Sequence, residues 1–217
     1  MIDLHTHTLF SDGELLPSEL VRRAEIIGYQ AVALTDHGDS SNLDWMIPRI
    51  VQACRDLNAQ WKIRAIPGIE LTHLPPGIIG LLAKKARSLG AKLVVVHGES
   101  IVEPVPPGTN RMALEAGVDI LAHPGLISEE EVLLAREKGV FLEISARKGH
   151  SLANGHVARL AQKCGAPMVL NTDSHSPDDL ISLEKARRVA LGAGLGEEDF
   201  ARMRQNSRRI VEKVFGE

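Results

Sequence analysis

Short apolar or β-branched runs recur along the chain: IDLH from 2, AVAL from 31, IRAIPGIEL from 63, KLVVVH from 92, DILAH from 119, VFLEIS from 140 and PMVLNT from 167. Each has the length of a strand, and the segments between them carry apolar residues at helical spacing. Leu20, Ala24 and Ile27 follow Pro17 in this way. Leu133 and Leu134 follow Ser128-Glu129-Glu130-Glu131, which reads as a capping box. Pro17, Pro75 and Pro76 suit helix starts, and Gly28, Gly90, Gly117, Gly139 and Gly165 each fall between a helical run and the next strand, where a left-handed residue ends a helix. The pattern predicts seven strands alternating with helices. Such alternation argues for an α/β fold with a parallel sheet, and seven units suffice to close it into a barrel; a doubly wound open sheet is the alternative. No linker or repeat divides the chain, so residues 1–217 are expected to form a single domain, with 196–217 as two short helices covering the barrel.

Composition sharpens this picture in a few places. At 217 residues and 44% hydrophobic, the chain can bury a substantial core, and at 3% aromatic that core must be built from Leu, Ile, Val and Ala. The net charge of −3, without long blocks of one sign, provides no electrostatic footprint for duplex nucleic acid or an anionic membrane. Cys54 and Cys164 are far apart in helical segments and suggest neither a disulfide framework nor a thiolate metal site. A reducing, cytoplasmic setting is the expectation. No leader pattern opens the chain, and apolar runs such as LVVV at 93–96 are too short to span a bilayer.

The chemistry lies in where the histidines fall. His5 and His7 end the first strand, Asp36 and His37 the second, Glu70 the third, His97 the fourth, His123 the fifth, and Asp173 with His175 the seventh. In a parallel barrel these C-terminal ends share one face, where such folds build active sites. Residues i and i+2 of an extended strand point the same way, so His5 and His7 can bind one ion together. A lone strand-end histidine is more often structural, with about a one-in-five chance of ligating. Six histidines and three carboxylates at strand ends are another matter: imidazole plus carboxylate, without thiolate, is the ligand mix of Zn, Mn or Fe. Nine such groups exceed the needs of one ion and imply two or three divalent ions in a catalytic cluster.

DLHTHTLFSDG at 3–13, LTDH at 34–37, GIE at 68–70, VVHGE at 95–99, LAHPG at 121–125, LEIS at 142–145 and NTDSH at 171–175 resemble, in order and over almost the whole chain, the PHP (polymerase and histidinol phosphatase) superfamily. The resemblance implies a distorted (β/α)7 barrel with a trinuclear metal site. It further implies that His5, His7, Glu70 and Asp173 surround one metal, that Glu70 bridges to a second held by His97 and His123, and that Asp12, His37 and His175 hold the third. Some relatives have histidine where Asp12 stands. Within the superfamily the chain is similar to small stand-alone phosphoesterases related to histidinol-phosphate phosphatase. Histidinol phosphate is therefore the leading named substrate, although LPPGIIGLLAKKARSLGAK, between Glu70 and His97, departs from some relatives as an ordinary crossover helix.

Cations at one barrel mouth suit a phosphate monoester dianion and lower the pKa of a bridging water, so the expected reaction is hydrolysis of a small phosphomonoester by in-line attack of a metal-bridging hydroxide. The loop after the sixth strand brings Arg147, Lys148 and His150 to the same face. Arg147 is expected to grip phosphate, Lys148 to add charge and His150 to protonate the leaving group. Thr109 and Asn110, at the end of the 102–110 loop, are candidate substrate contacts. Asp3, Asp36 and Glu99 are read as acceptors that orient histidines, and His73 and His156 as non-ligating. The competing readings are a phosphodiesterase or nuclease acting on nucleotides or DNA ends, disfavoured by the absence of a basic strip and of stacking aromatics, and a non-catalytic metal or regulatory module, disfavoured by the complete ligand set.

Overall fold

In the computed structural model, which describes residues 1–216, all seven expected runs form strands and pair in parallel. The strands are β1 (Ile2–Asp3), β2 (Ala31–Leu34), β3 (His37–Gly38), β4 (Arg64–Leu71), β5 (Leu93–His97), β6 (Ile120–Ala122), β7 (Phe141–Ser145) and β8 (Met168–Asn171). The extra segment, β3, continues the path of β2 and sets His37 opposite Glu70 of β4. The main order is β1-β2-β4-β5-β6-β7-β8. Beyond the ends of β1 and β8, Asp173 N–H donates to the His5 carbonyl at 2.9 Å and His7 N–H to that of Ser174 at 2.8 Å, with Thr6 bridging Ser174. The sheet is thus a nearly closed barrel and not an open doubly wound sheet.

Alternation along each strand sorts side chains into two layers. Ala31, Ala33, Ile66, Leu93, Val95, Ile120, Ala122 and Val169 fill the interior. Val32, Leu34, Ile69, Val94, Val96, Leu142 and Ile144 face outward onto the helices. Those are α1 (Pro17–Ile26), α2 (Leu43–Asn58), α3 (Ile79–Ser88), α4 (Thr109–Ala116), α5 (Glu129–Lys138), α6 (Asn154–Cys164), α7 (Leu183–Gly192) and α8 (Glu197–Phe215). Pro17 opens α1, and the Ser128 capping box opens α5, with Ser128 Oγ accepting from Glu131 N–H at 3.2 Å. The crossover after Glu70 begins with a 3-10 turn at Pro76–Ile78 before α3.

Residues 196–217 differ from expectation. They hold one helix of 19 residues, α8, in place of two short ones, because no Gly or Pro interrupts 197–215 and Phe200, Met203, Ile210 and Val211 continue one apolar stripe; Glu217 lies outside the described residues. Ile210 and Val211 join the interior cluster, so α8 seals the end of the barrel where the strands begin. The opposite end, where they finish, stays open. No helix of the described residues is long and apolar enough to cross a membrane, and Cys54 and Cys164 are buried and unpaired.

Candidate metal centre

Strand alternation delivers part of the site. In β4, Ile66 faces inward and Glu70 falls on the same side two pleats on; in β5, Leu93 and Val95 lead to His97; in β7, outward Leu142 and Ile144 leave Glu143 pointing in. His123 follows inward Ala122, so alternation alone would turn it outward. It has φ of 26°, and Asp173 has φ of 53°. With His73 at 51° these are the only non-glycine residues with positive φ among the described residues. Such conformations cost about 1–3 kcal/mol each and persist where the surroundings hold them. A glycine does the matching work at 125, where a Cβ would collide with the Glu99 carbonyl as the loops after β5 and β6 press together.

All nine expected ligands converge. His5 Nε2 lies 3.3 Å from Glu70 Oε1 and 3.6 Å from Asp173 Oδ1, and His7 Nε2 is 3.1 Å from Asp173 Oδ1. His97 Nδ1 and His123 Nε2 approach Glu70 Oε1 at 3.4 and 3.5 Å. His37 Nε2 and His175 Nε2 meet Asp12 Oδ1 at 3.4 and 3.2 Å. The donor atoms of these residues form overlapping groups, each within 4.8 Å, that share His5, His7, His37 and Glu70.

Whether metals fit these residues can be judged from the buried atoms themselves. His5 Nε2, both ring nitrogens of His7, His97 and His123, and Glu70 Oε1 are buried without a hydrogen-bond partner. An unsatisfied buried polar group costs about 1–3 kcal/mol, so eight of them rival the roughly 5–15 kcal/mol net stability of a whole domain. Cations would satisfy Glu70 Oε1 and one nitrogen of each ring, and the donor set suits Zn, Mn or Fe. The electrostatics agree. Against the penalty of burial, Glu143, Glu70 and Asp173 hold His5 well above the ordinary imidazole value. Against the same penalty, Glu70 and Asp12 lift His37 to about 10, and Glu70 and Glu103 lift His97 to about 9. Glu70, despite its own burial, is held well below the carboxylate range by His5, His37 and His97. His7 behaves oppositely, burial taking it down to about 3. The cluster is an acidic cage that attracts positive charge, whether protons or metal ions.

The PHP domain family model matches residues 3–144. The chain belongs to the PHP domain family. Its relatives include an uncharacterized protein of Methanocaldococcus jannaschii, 50% identical over 91% of each chain. A probable phosphatase of a Thermoanaerobacter species is 26% identical, over 100% of this chain and 98% of its own. Among solved structures, archaeal ribonuclease P with mature tRNA contains a chain that superimposes with a TM-score of 0.75 at 15% identity, over 99% of this chain and 91% of that one. That likeness concerns the fold.

Around the expected ligands, the supporting residues are not all the expected ones. Asp3 accepts from the Thr172 hydroxyl at 2.6 Å and from its N–H, and Asp36 from Thr8 and Ser11; they brace the backbone that carries the ligands and touch no imidazole ring through a hydrogen bond. Glu99 caps α4 through the N–H groups of Gly108 and Asn110. The ring-orienting carboxylate is Glu143, unforeseen from sequence. Its Oε1 takes the His5 Nδ1 proton at 2.9 Å and Asn171 Nδ2 at 2.8 Å, and its Oε2 takes the His123 N–H at 3.2 Å. With its proton on Nδ1, His5 is left with an Nε2 lone pair facing the cluster.

A cavity of about 450 Å³ opens over the centre, lined in part by Asp12, His37, His97, Arg147, Asp173 and His175. Arg147 reaches it while its Nη1 donates to the Asp173 carbonyl at 3.0 Å. Lys148 is exposed and outside the lining. Thr109 and Asn110 are not substrate contacts in this geometry: they are buried in the first turn of α4, Thr109 Oγ1 donating to the Pro106 carbonyl at 2.7 Å and Asn110 Nδ2 to that of Pro124 at 2.9 Å. His150 is buried too, stacked on His123 at 3.9 Å between ring centroids, and burial with His123 nearby lowers its pKa to about 4. His150 nevertheless lines the cavity with Arg147 and Asp173. His156 Nε2 donates to the Ile127 carbonyl at 2.7 Å, well outside the cluster, whereas His73 stands at the mouth beside Glu103, a loop residue that the sequence did not single out.

Two outcomes are expected. Glu143→Gln places an amide N–H₂ against the donors of Asn171, His123 or His5 and should weaken metal binding about 10- to 100-fold; a metal titration that matches wild type would contradict the role given to Glu143. In the metal-free protein, His37 and His97 bind more protons folded than unfolded between the ordinary value of 6.5 and their folded values of about 10 and about 9. Their contribution to stability is complete below pH 6.5 and is lost as pH rises through that window, so the Tm of the metal-free protein should fall between about pH 6.5 and 10. Metal loading should flatten the fall; a metal-free Tm that holds steady or rises across the window would contradict the assignment.

Proposed function

We propose that this protein is a metal-dependent phosphoesterase that hydrolyses a small phosphomonoester, with histidinol phosphate the leading named candidate. The observation that carries the reading is the convergence of unpartnered buried nitrogen and oxygen atoms beneath an open cavity that also holds an arginine. Membership of the PHP family and the probable phosphatase relative support the class of reaction.

In this reading His5, His7, Glu70 and Asp173, with His97 and His123, and Asp12 with His37 and His175, hold two or three divalent ions. Bound there, the ions supply Lewis acidity and a water of lowered pKa. The chain's own residues do the rest. Arg147 receives the phosphate oxygens: its Nη1 is tied to the Asp173 carbonyl and lies 3.8 Å from Asp179 Oδ2, and its Nε lies 3.6 Å from Asp173 Oδ2. Anchoring the guanidinium in advance reduces the ordering cost of gripping a dianion. His150 forms one wall of the cavity by packing on His123. The open barrel end admits substrate, and the end sealed by α8 takes no part.

A nuclease using the same centre is the second reading, and the charge distribution favours the first. Arg147 is the one Arg or Lys in the cavity lining, whereas Lys92, Arg204, Arg208 and Arg209 line recesses at the sealed end, away from the mouth. A nucleic-acid strand entering the mouth would find little to hold its other phosphates.

Protein stripped of metal and reloaded with Mn, Zn or Fe should hydrolyse phosphomonoesters in a panel that also contains diesters and labelled oligonucleotides. Activity confined to diesters or nucleic-acid ends would overturn the proposal. Arg147→Ala should lower kcat/KM for a phosphomonoester by about 10- to 100-fold, the worth of a charged hydrogen bond. Unchanged kcat and KM would remove Arg147 from the site.

A further inference from the structure

The loop between β5 and α4 sends one carboxylate back into the mouth. Glu103 Oε2 lies 3.1 Å from His97 Nε2 and 3.0 Å from His73 Nε2, and its Oε1 lies 3.3 Å from His150 Nε2. Three imidazoles, one from the end of β5 and two from the segments after β4 and β7, therefore meet on one glutamate that no strand pattern placed there. The two nitrogens of His97 face opposite ways: Nδ1 toward Glu70 Oε1 at 3.4 Å and Nε2 toward Glu103. The approach to Glu103 lies off the ring's N–H axis, so Nε2 is close to an acceptor without yet bonding it, and Nδ1 has no partner at all. His150 is more settled. Ser100 Oγ sits 2.6 Å from its Nδ1, and with the hydroxyl donating there, the ring proton stays on Nε2, which lies 3.3 Å from Glu103 Oε1 without a formed hydrogen bond.

We infer that Glu103 is a positioning residue of the metal centre. It receives the Nε2 proton of His97, which sets the tautomer in which Nδ1 presents a lone pair to the ion shared with Glu70 and His123. Ligating histidines commonly donate their second ring N–H to a carboxylate, which fixes the ring and raises its basicity. Glu143 does this for His5 from within the barrel; Glu103 does it for His97 from a loop at its mouth. The same carboxylate lies 3.3 Å from His150 Nε2, and His150 stacks on His123 at 3.9 Å between ring centroids, so Glu103 also backs the ring that packs on a second expected ligand. One loop residue thereby orients one ligand directly and buttresses a second. The left-handed backbone of His73, φ 51°, brings a third imidazole to the same carboxylate, but His73 contacts no expected ligand except by ring packing against His97 at 4.9 Å. Its part is to tether the loop.

The inference shares with the proposed function only the presence of metals, so its test reads metal binding and not phosphatase activity; failure to hydrolyse any phosphoester would leave it standing. Metal-free wild type, Glu103→Ala, Glu103→Gln and His73→Ala are titrated with Mn or Zn, and retained equivalents are counted after dialysis. Circular dichroism verifies folding, which the half-exposed position of Glu103 favours. Glu103→Ala should weaken the affinity of one ion by about 10- to 100-fold, so that one equivalent fewer survives dialysis. Glu103→Gln, which can still accept from His97 through its amide oxygen, should recover most of the loss, and His73→Ala should retain the full complement. Two results would overturn the inference: Glu103→Ala binding its metals within about twofold of wild type, or His73→Ala losing as much as Glu103→Ala, which would reduce Glu103 to a loop tether.

Discussion

The centre of this molecule is a set of polar atoms placed where water cannot reach them and hydrogen bonds do not satisfy them. Glu70 lies at its heart, fully buried and within 3.5 Å of His5, His37, His97 and His123. Much of the architecture follows from keeping that carboxylate and its imidazoles fixed against their own cost of burial. Small interior side chains at Ala31, Ala33 and Ala122 let the strands close tightly enough for residues from opposite walls to meet. The first and last strands are joined just below the cluster, through backbone bonds at His5, His7, Asp173 and Ser174, so the seam of the barrel and the ligands are built from the same residues. Any ion held by His5, His7 and Asp173 would therefore also tie the barrel's seam.

Charge is distributed to match. Three deeply buried carboxylates, Glu70, Glu143 and Asp173, surround the histidines, and in the absence of metal His5, His37 and His97 answer by holding protons more tightly than usual, whereas burial does the reverse to His7. Metal ions do the same work with greater charge and fixed geometry. Backbone strain supports this economy at two ligands: His123 and Asp173 adopt left-handed conformations that ordinary strand continuation would forbid. The sealed end, by contrast, is held by plain apolar packing of α8.

Much of this was legible in the chain. Apolar runs punctuated by glycines marked the strands because parallel strands are buried on both faces, and histidines at their ends marked the cluster because a parallel barrel gathers those ends on one face. Asp12 was placed by family resemblance, since its loop carries no periodic signal. Glu143 was missed although the pattern contained it: with Leu142 and Ile144 outward, the glutamate between them must point into the barrel, and a buried carboxylate demands a partner. Glu103 had no such signal, sitting in VEPVPPG, where no period exists to aim a side chain. The roles given to Asp3, Asp36 and Glu99 were too specific, because an acidic residue near a ligand can bond backbone as readily as a ring, and only geometry decides. Thr109 and Asn110 read as loop tips but form the first turn of α4, where their side chains are spent on local carbonyls. The continuous α8 was divided in expectation although no Gly or Pro breaks it.

The central claim is that the buried cluster is a metal centre whose ions complete the fold. It is tested most directly by counting metals and melting the same sample before and after chelation. The account requires two or three divalent ions per chain, removable by chelator, and a Tm lower by about 10 °C once they are gone, as expected when ligands bound far above their Kd are withdrawn from a domain of this size. A protein that takes up no divalent ion when supplied with excess Mn, Zn or Fe, and melts at the same temperature with and without chelator, would contradict it.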